Sequence, residues 1–286
     1  MRPINRRHFL REGSGLALSA TLSASLLSRC SPAADPEPEV SSTGMHHYDP
    51  FDMGFQSYSL RHFTELEELL EQAGRLDLRH VELYRGHLPT STPLPQLEQI
   101  RKQLASAGLT ANAFGVEHFS EDHEANEALF KFGKALGVKC LSADPSKNAF
   151  VSLEKLVEEY DVQIAIHNHG PEDARWRLPE WILEAVAALD PRIGACADLG
   201  HFIRAAVDPI EALEMLGSRV LGVHLKDFDQ EGNDVVLGRG QLDVGRTLAT
   251  LVKIGFDGPL SLEFEGDKEN PIPKMLECLA TVRDAL

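Results

Sequence analysis

Residues 162–173 read VQIAIHNHGPED. Val162, Ile164, Ala165 and Ile166 make a short apolar run of strand length, and a run without polar alternation suits a strand covered on both faces. Side chains alternate along a strand, so His167 and His169 point to the same side at its end. Two imidazoles brought together at the end of a buried strand are costly unless something there uses them.

The same pattern repeats along the chain. From about Phe51, the strand candidates MGFQSYS, HVELY, TANAFGV, CLSAD, QIAIH, IGACAD, VLGVHL and LSLEF alternate with helical stretches at 64–73, 94–107, 125–136, 153–160, 179–189, 209–216, 247–254 and 272–286. Eight strand–helix units predict a parallel sheet closed into a (β/α)8 TIM barrel, a single α/β domain over residues 49–286. An open doubly wound sheet is the rival, and no glycine-rich phosphate fingerprint follows the first strand to support it.

Residues 1–30 are not expected to belong to the fold. Arg6 and Arg7 precede the apolar stretch GSGLALSATLSASLLS, the pattern of a twin-arginine signal peptide directing export to the periplasm. The stretch is shorter than the ~20 apolar residues of a membrane span. Cys30 is a candidate lipid anchor, which leaves a membrane-anchored lipoprotein open, although Arg29 is a poor residue before such a cut. Residues 31–48, rich in Pro, Ser and acid, read as a disordered linker.

The net charge is −16. Residues 1–30 hold five Arg and one Glu, a net of +4, so the remainder carries −20. That field repels a phosphate backbone and argues against a nucleic-acid partner. Cys140, Cys196 and Cys278 lie within apolar runs and read as small buried hydrophobes. A homodimer is left open.

In such a barrel, active sites sit at the C-terminal ends of the strands. The polar residues that close each run are therefore the informative ones. On strands five to eight the first of them are His167, Asp198, His224 and Glu263. Two imidazoles and two carboxylates suit one divalent metal ion, Mn²⁺, Fe²⁺, Co²⁺, Ni²⁺ or Zn²⁺, rather than Mg²⁺. Taken singly, a strand-end Asp often caps the next helix, and a lone His is more often part of the packing. Crowded together, four such groups call for a cation.

Around them stand His169 and Lys226 for proton chemistry, with His201 at the start of the loop after DLG. Glu82 on the second strand, Arg204, Arg239 and Trp176 are candidate substrate contacts, with Phe55 as a second apolar wall. The glycine-rich stretch KDFDQEGNDVVLGRGQLDVG after strand seven reads as a lid or binding loop, unless Asp227 or Asp229 only starts a turn.

The segments IHNHGPED, ADLGHFIRA, GVHLKDFD, GRGQLDV and SLEFEGD resemble the xylose-isomerase-like TIM-barrel superfamily of sugar isomerases and epimerases, from about Phe51 to the C-terminus. The resemblance implies one divalent metal, most often Mn²⁺, held by strands five to eight. Asp198, His224 and Glu263 match three ligands of its ketose epimerases, and His201 matches a substrate-contacting histidine. His167 stands where those epimerases carry a glutamate that exchanges the proton with the glutamate of strand eight. The expected activity is metal-assisted proton abstraction beside the carbonyl of a sugar or keto-sugar. Glu263 or His169 would move the proton, and Lys226 or His201 would steady oxygen charge. Isomerisation or epimerisation is the first expectation. A lyase or hydratase of the inosose dehydratase or 3-keto-glycoside type is the alternative, favoured by His167. A non-catalytic carbohydrate-binding barrel is the reading from another class.

Overall fold

The computed structural model describes residues 47–286. Arg6, Arg7, Cys30 and nearly all of the linker lie outside the described residues.

The chain runs β1 (Met53–Gln56), α1 (Leu66–Ala73), β2 (His80–Leu83), α2 (Leu94–Ser106), β3 (Thr110–Phe119), α3 (His123–Leu136), β4 (Cys140–Pro145), α4 (Phe150–Tyr160) and β5 (Gln163–His167). It continues through α5 (Pro179–Val186), β6 (Ile193–Asp198), α6 (Leu199–Arg204), α7 (Pro209–Leu216) and β7 (Val220–Leu225). A two-stranded ribbon, β8 (Asp227–Phe228) and β9 (Asp234–Val235), precedes α8 (Val244–Lys253), β10 (Leu260–Leu262) and α9 (Ile272–Ala285). Eight parallel strands close in the order β1-β10-β7-β6-β5-β4-β3-β2, the (β/α)8 barrel expected from the alternation.

Strands β5, β6 and β7 carry almost no exposed residue, because the barrel interior covers one face and the helices the other. Aspartates start several helices by accepting backbone N–H bonds that a helix N-terminus leaves free. Asp122 Oδ1 takes Ala125 N at 3.1 Å, Asp208 Oδ1 takes Ile210 N at 2.7 Å and Asp243 Oδ1 takes Arg246 N at 2.9 Å. Among the described residues no helix is long and apolar enough to cross a membrane.

Two features differ from the sequence expectation. His201 does not begin a loop: Asp198 caps a short helix, α6, through His201 N at 2.7 Å, and His201 rides on its first turns. The glycine-rich stretch after β7 is not structureless, because β8 and β9 pair antiparallel, Asp227 with Val235 and Phe228 with Asp234. The Asp227 carboxylate gathers the stretch behind that ribbon. Its Oδ2 accepts from Gly238 N and Gly240 N at 2.9 Å, and its Oδ1 from Gln241 N at 2.8 Å and Leu242 N at 2.9 Å. A Cβ at position 240 would stand 2.4 Å from Asp227 Oδ1, so only glycine lets the backbone come so close.

Candidate metal centre and sugar pocket

The register of β6 and β7 sets Asp198 beside His224, and β5 sets His167 beside Cys196, two residues below Asp198. The interior-facing ends of β5, β6, β7 and the segment after β10 therefore converge. His167, Asp198, His224 and Glu263 are all buried, and one donor atom from each lies within 4.8 Å of the others. His167 Nε2 is 3.1 Å from His224 Nδ1 and 3.5 Å from Asp198 Oδ2, and His224 Nδ1 is 3.1 Å from Glu263 Oε2. Metal bonds of about 2.0–2.2 Å hold neighbouring donors roughly 3–3.5 Å apart, so these spacings suit one cation.

Asp198 supplies the sharpest test of that fit. Its Oδ1 caps α6, but Oδ2 is buried with no hydrogen-bond partner. A buried carboxylate oxygen left so is expensive unless a cation completes it. Asn168 braces the same residue from behind, accepting from Asp198 N and donating to Asp198 O, both at 2.9 Å.

His224 is aimed from below. Its Nε2 lies 2.9 Å from Glu82 Oε2, so the ring donates there and leaves the Nδ1 lone pair turned to the cluster. Glu82 also accepts from Ser142 Oγ at 2.5 Å and Ser261 Oγ at 2.9 Å. Burial alone would raise its carboxyl, but His224 and the two hydroxyls hold it below the usual range, so it stays ionised. Glu82 points inward as expected, yet it lies beneath the ligands rather than on the cavity. It bonds His224 and does not line the cavity.

Above the cluster opens a cavity of about 710 Å³, with His167, His169, His201, Lys226 and Glu263 in its walls. His169 stacks edge-on to His167 at 4.7 Å between ring centres, on the side predicted from strand alternation. Burial, with His167 beside it, pulls His169 down to about 4, so it is a neutral imidazole. Burial likewise holds His201 at about 4 against the pull of Asp198. The Arg204 guanidinium donates to His201 Nδ1 at 3.2 Å, which puts the remaining ring proton on Nε2. Lys226 is buried between Glu265, Glu263 at 3.3 Å and Asp198 at 3.8 Å. Burial opposes its charge, but those carboxylates hold the ammonium well above its usual pKa. Helix α6 can lie over Lys226 because residue 200 is glycine, where a Cβ would come 2.8 Å from Lys226 Cγ.

Two expected substrate contacts fall elsewhere. Trp176 is fully buried, donating from Nε1 to Pro145 O at 3.0 Å and packing on Phe150, outside the mouth. Arg239 pairs with Glu277 of α9 at 2.5 Å, on the outer side of the ribbon's root. Phe55, the other expected apolar wall, packs in the core. The aromatic wall is instead Tyr58, Tyr84 and Phe228, with Tyr58 and Tyr84 edge to face at 5.2 Å. Arg85, bound to Glu117, and Asp234 of the ribbon also line the cavity. Tyr58 and Tyr84 lie at the ends of the first two strand candidates, whereas Arg85, Phe228 and Asp234 sit on connections, where no periodicity marks which side chain faces the mouth.

A family model described as xylose isomerase-like TIM barrel matches residues 43–282. The chain belongs to that family. A curated relative, 3-oxo-isoapionate decarboxylase of Pectobacterium atrosepticum, is 27% identical over 169 residues, covering 52% of this chain and 58% of the relative. The chain spans about half the length of the curated relatives it matches. Among solved structures, D-psicose 3-epimerase of Clostridium cellulolyticum H10 with D-tagatose aligns at a TM-score of 0.67 and 15% identity, over 82% of this chain and 99% of that one. The IOLI protein with a bound zinc atom aligns at 0.66 and 20% identity, over 82% and 97%. At these identities the two structures bear on the fold alone.

Proposed function

We propose that this member of the family is a metal-dependent enzyme that abstracts a proton beside the carbonyl of a sugar or keto-sugar. The observation that carries the reading is the convergence of His167, Asp198, His224 and Glu263, with the orphaned Asp198 Oδ2, on the floor of a cavity large enough for a sugar. His167, Asp198, His224 and Glu263 would hold a divalent ion there, Mn²⁺ by our assignment, which would supply Lewis acidity to a substrate oxygen.

The chain's own groups divide the remaining work. Glu263 is anionic at neutral pH: burial raises its carboxyl, but Lys226 and His224 hold it at about 2. The neutral His169 ring and the Glu263 carboxylate are the two groups able to take the proton. Lys226 keeps its proton and offers N–H bonds to developing oxygen charge, and His201 offers its Nε2–H to the same end. Tyr58, Tyr84 and Phe228 give an apolar wall for C–H faces.

Isomerisation or epimerisation is the reading we adopt. Elimination or hydration is the second, supported by His167: an imidazole in place of a strand-five carboxylate removes the symmetrical pair of bases that epimerisation employs. The name of the P. atrosepticum relative adds decarboxylation of a keto acid as a further route to an enediolate.

The test is solvent exchange. Full-chain protein loaded with Mn²⁺ is incubated in heavy water with aldoses, ketoses and 3-keto-glycosides, and proton NMR follows the carbon beside the carbonyl. Exchange that stops on chelation is expected. Sugar binding that survives chelation, with no exchange from any compound, overturns the reading in favour of a binding barrel. Export through the Arg6–Arg7 leader is part of the proposal, and fusing residues 1–48 to a reporter tests it.

A further inference from the structure

Two carboxylate oxygens among the described residues are buried without a partner: Asp198 Oδ2 and Asp234 Oδ1. The first belongs to the metal centre. The second sits on β9 of the ribbon, in the wall of the same cavity. Its sister oxygen Oδ2 has only the Glu265 N–H, at 3.2 Å. Burial raises the Asp234 carboxyl to about 7, with Lys226 opposing and Glu265 and Glu263 adding to the rise. An orphaned oxygen of this kind marks a partner the folded chain does not itself provide.

Charge narrows what that partner can be. The cations lining the cavity are Arg85, Arg204 and Lys226, and each already faces a carboxylate: Glu117, Glu172 and Glu265 respectively. None of these three lining cations is free to receive a phosphate or carboxylate of the substrate, and Asp234 in its ionised form would repel one.

We infer that Asp234 is a further substrate-contacting residue, its carboxyl taking a hydroxyl of an uncharged sugar at the ribbon side of the mouth. The inference rests on the proposed function and adds the class of substrate. The ribbon is a suitable carrier because Asp227 fixes its root through four backbone N–H bonds.

The experiment takes the neutral sugar that exchanges best in heavy water and its phosphorylated counterpart. It compares the wild type with Asp234→Ala and Asp234→Asn, all full-chain and Mn²⁺-loaded. Binding of both sugars is also measured by calorimetry, and metal content by elemental analysis. Asp234→Ala should raise KM for the neutral sugar roughly 10- to 100-fold, the loss of a hydrogen bond to a charged group, with a smaller change in kcat and unchanged metal content. Asp234→Asn, which keeps an acceptor but cannot ionise, should recover much of that binding and, assayed above pH 7 where the wild-type carboxyl is charged, narrow the preference for neutral over phosphorylated sugar. A merely structural carboxyl would lower kcat and melting temperature together and leave the preference alone, and that result overturns the inference. So does a wild type that prefers the phosphorylated sugar. A wild type that exchanges with no sugar removes the proposed function, and this inference falls with it.

Discussion

Two levels of the barrel interior, one residue pair apart on β5 and β6, differ in chemistry. On β5 the inward residues are Ala165 and then His167, and on β6 they are Cys196 and then Asp198. The lower level forms a small apolar cluster of Ala113, Cys140, Ala165, Cys196 and Leu221. The upper level holds the four metal-ligand candidates and is just as deeply buried. Burial therefore does not separate packing from function in this molecule. The separation lies in whether a buried atom has its partners: the apolar side chains of the lower level need none, Glu82 at that level has Ser142, Ser261 and His224, and Asp198 Oδ2 lacks a hydrogen bond.

The comparison can be broken from either level. The largest effect is expected from Asp198→Asn, which keeps the cap on α6 but loses the anionic ligand. Bound metal should fall more than about 100-fold in affinity, beyond the range seen for outer partners, and exchange should disappear. Full metal content in this variant, read by elemental analysis, would mean the four groups are not a metal centre. Glu82→Gln should follow, since it removes the charge that orients His224. Affinity for Mn²⁺ should drop about 10- to 100-fold, measured by titration, with the fold intact.

Ala165→Leu probes the lower level. Overpacking there should cost about 1–3 kcal/mol in denaturant unfolding while the protein still binds one metal. Loss of metal with no loss of stability would reverse the assignment of the two levels. The remaining prediction concerns Asp234. Its folded pKa of about 7 lies above the ordinary 3.8, so the folded state holds the proton more tightly than the unfolded one. The contribution to stability is fully present below pH ~4 and is lost as pH rises towards 7. Asp234→Asn should therefore gain in melting temperature relative to wild type across that window and hold a constant difference above it. A difference that does not vary with pH would show that the carboxyl is not perturbed.

The barrel was legible because an apolar run covered on both faces, repeated eight times with helices between, has few other solutions. The grouping of His167, Asp198, His224 and Glu263 was legible for a related reason: alternation carries the polarity of a strand end to a known side. Depth was not legible. Nothing in HVELY reveals that Glu82 stops a layer below His224, because that depends on strand stagger around the closed sheet. Nor do connections declare their direction. Trp176 and Arg239 looked eligible by composition, but one folds under Pro145 and the other turns out to α9. Arg85, Phe228 and Asp234 reach the cavity from segments with no repeat to betray them.

The four amides held by Asp227 have a thermodynamic consequence for anything that docks beside the ribbon. Residues 238–242, behind the ribbon, are immobilised when the chain folds, so the support under the cavity wall has already lost its conformational freedom. The affinity of an arriving molecule is spared that entropic penalty, and its residence time is then governed by the contacts it makes rather than by a loop that must first be captured.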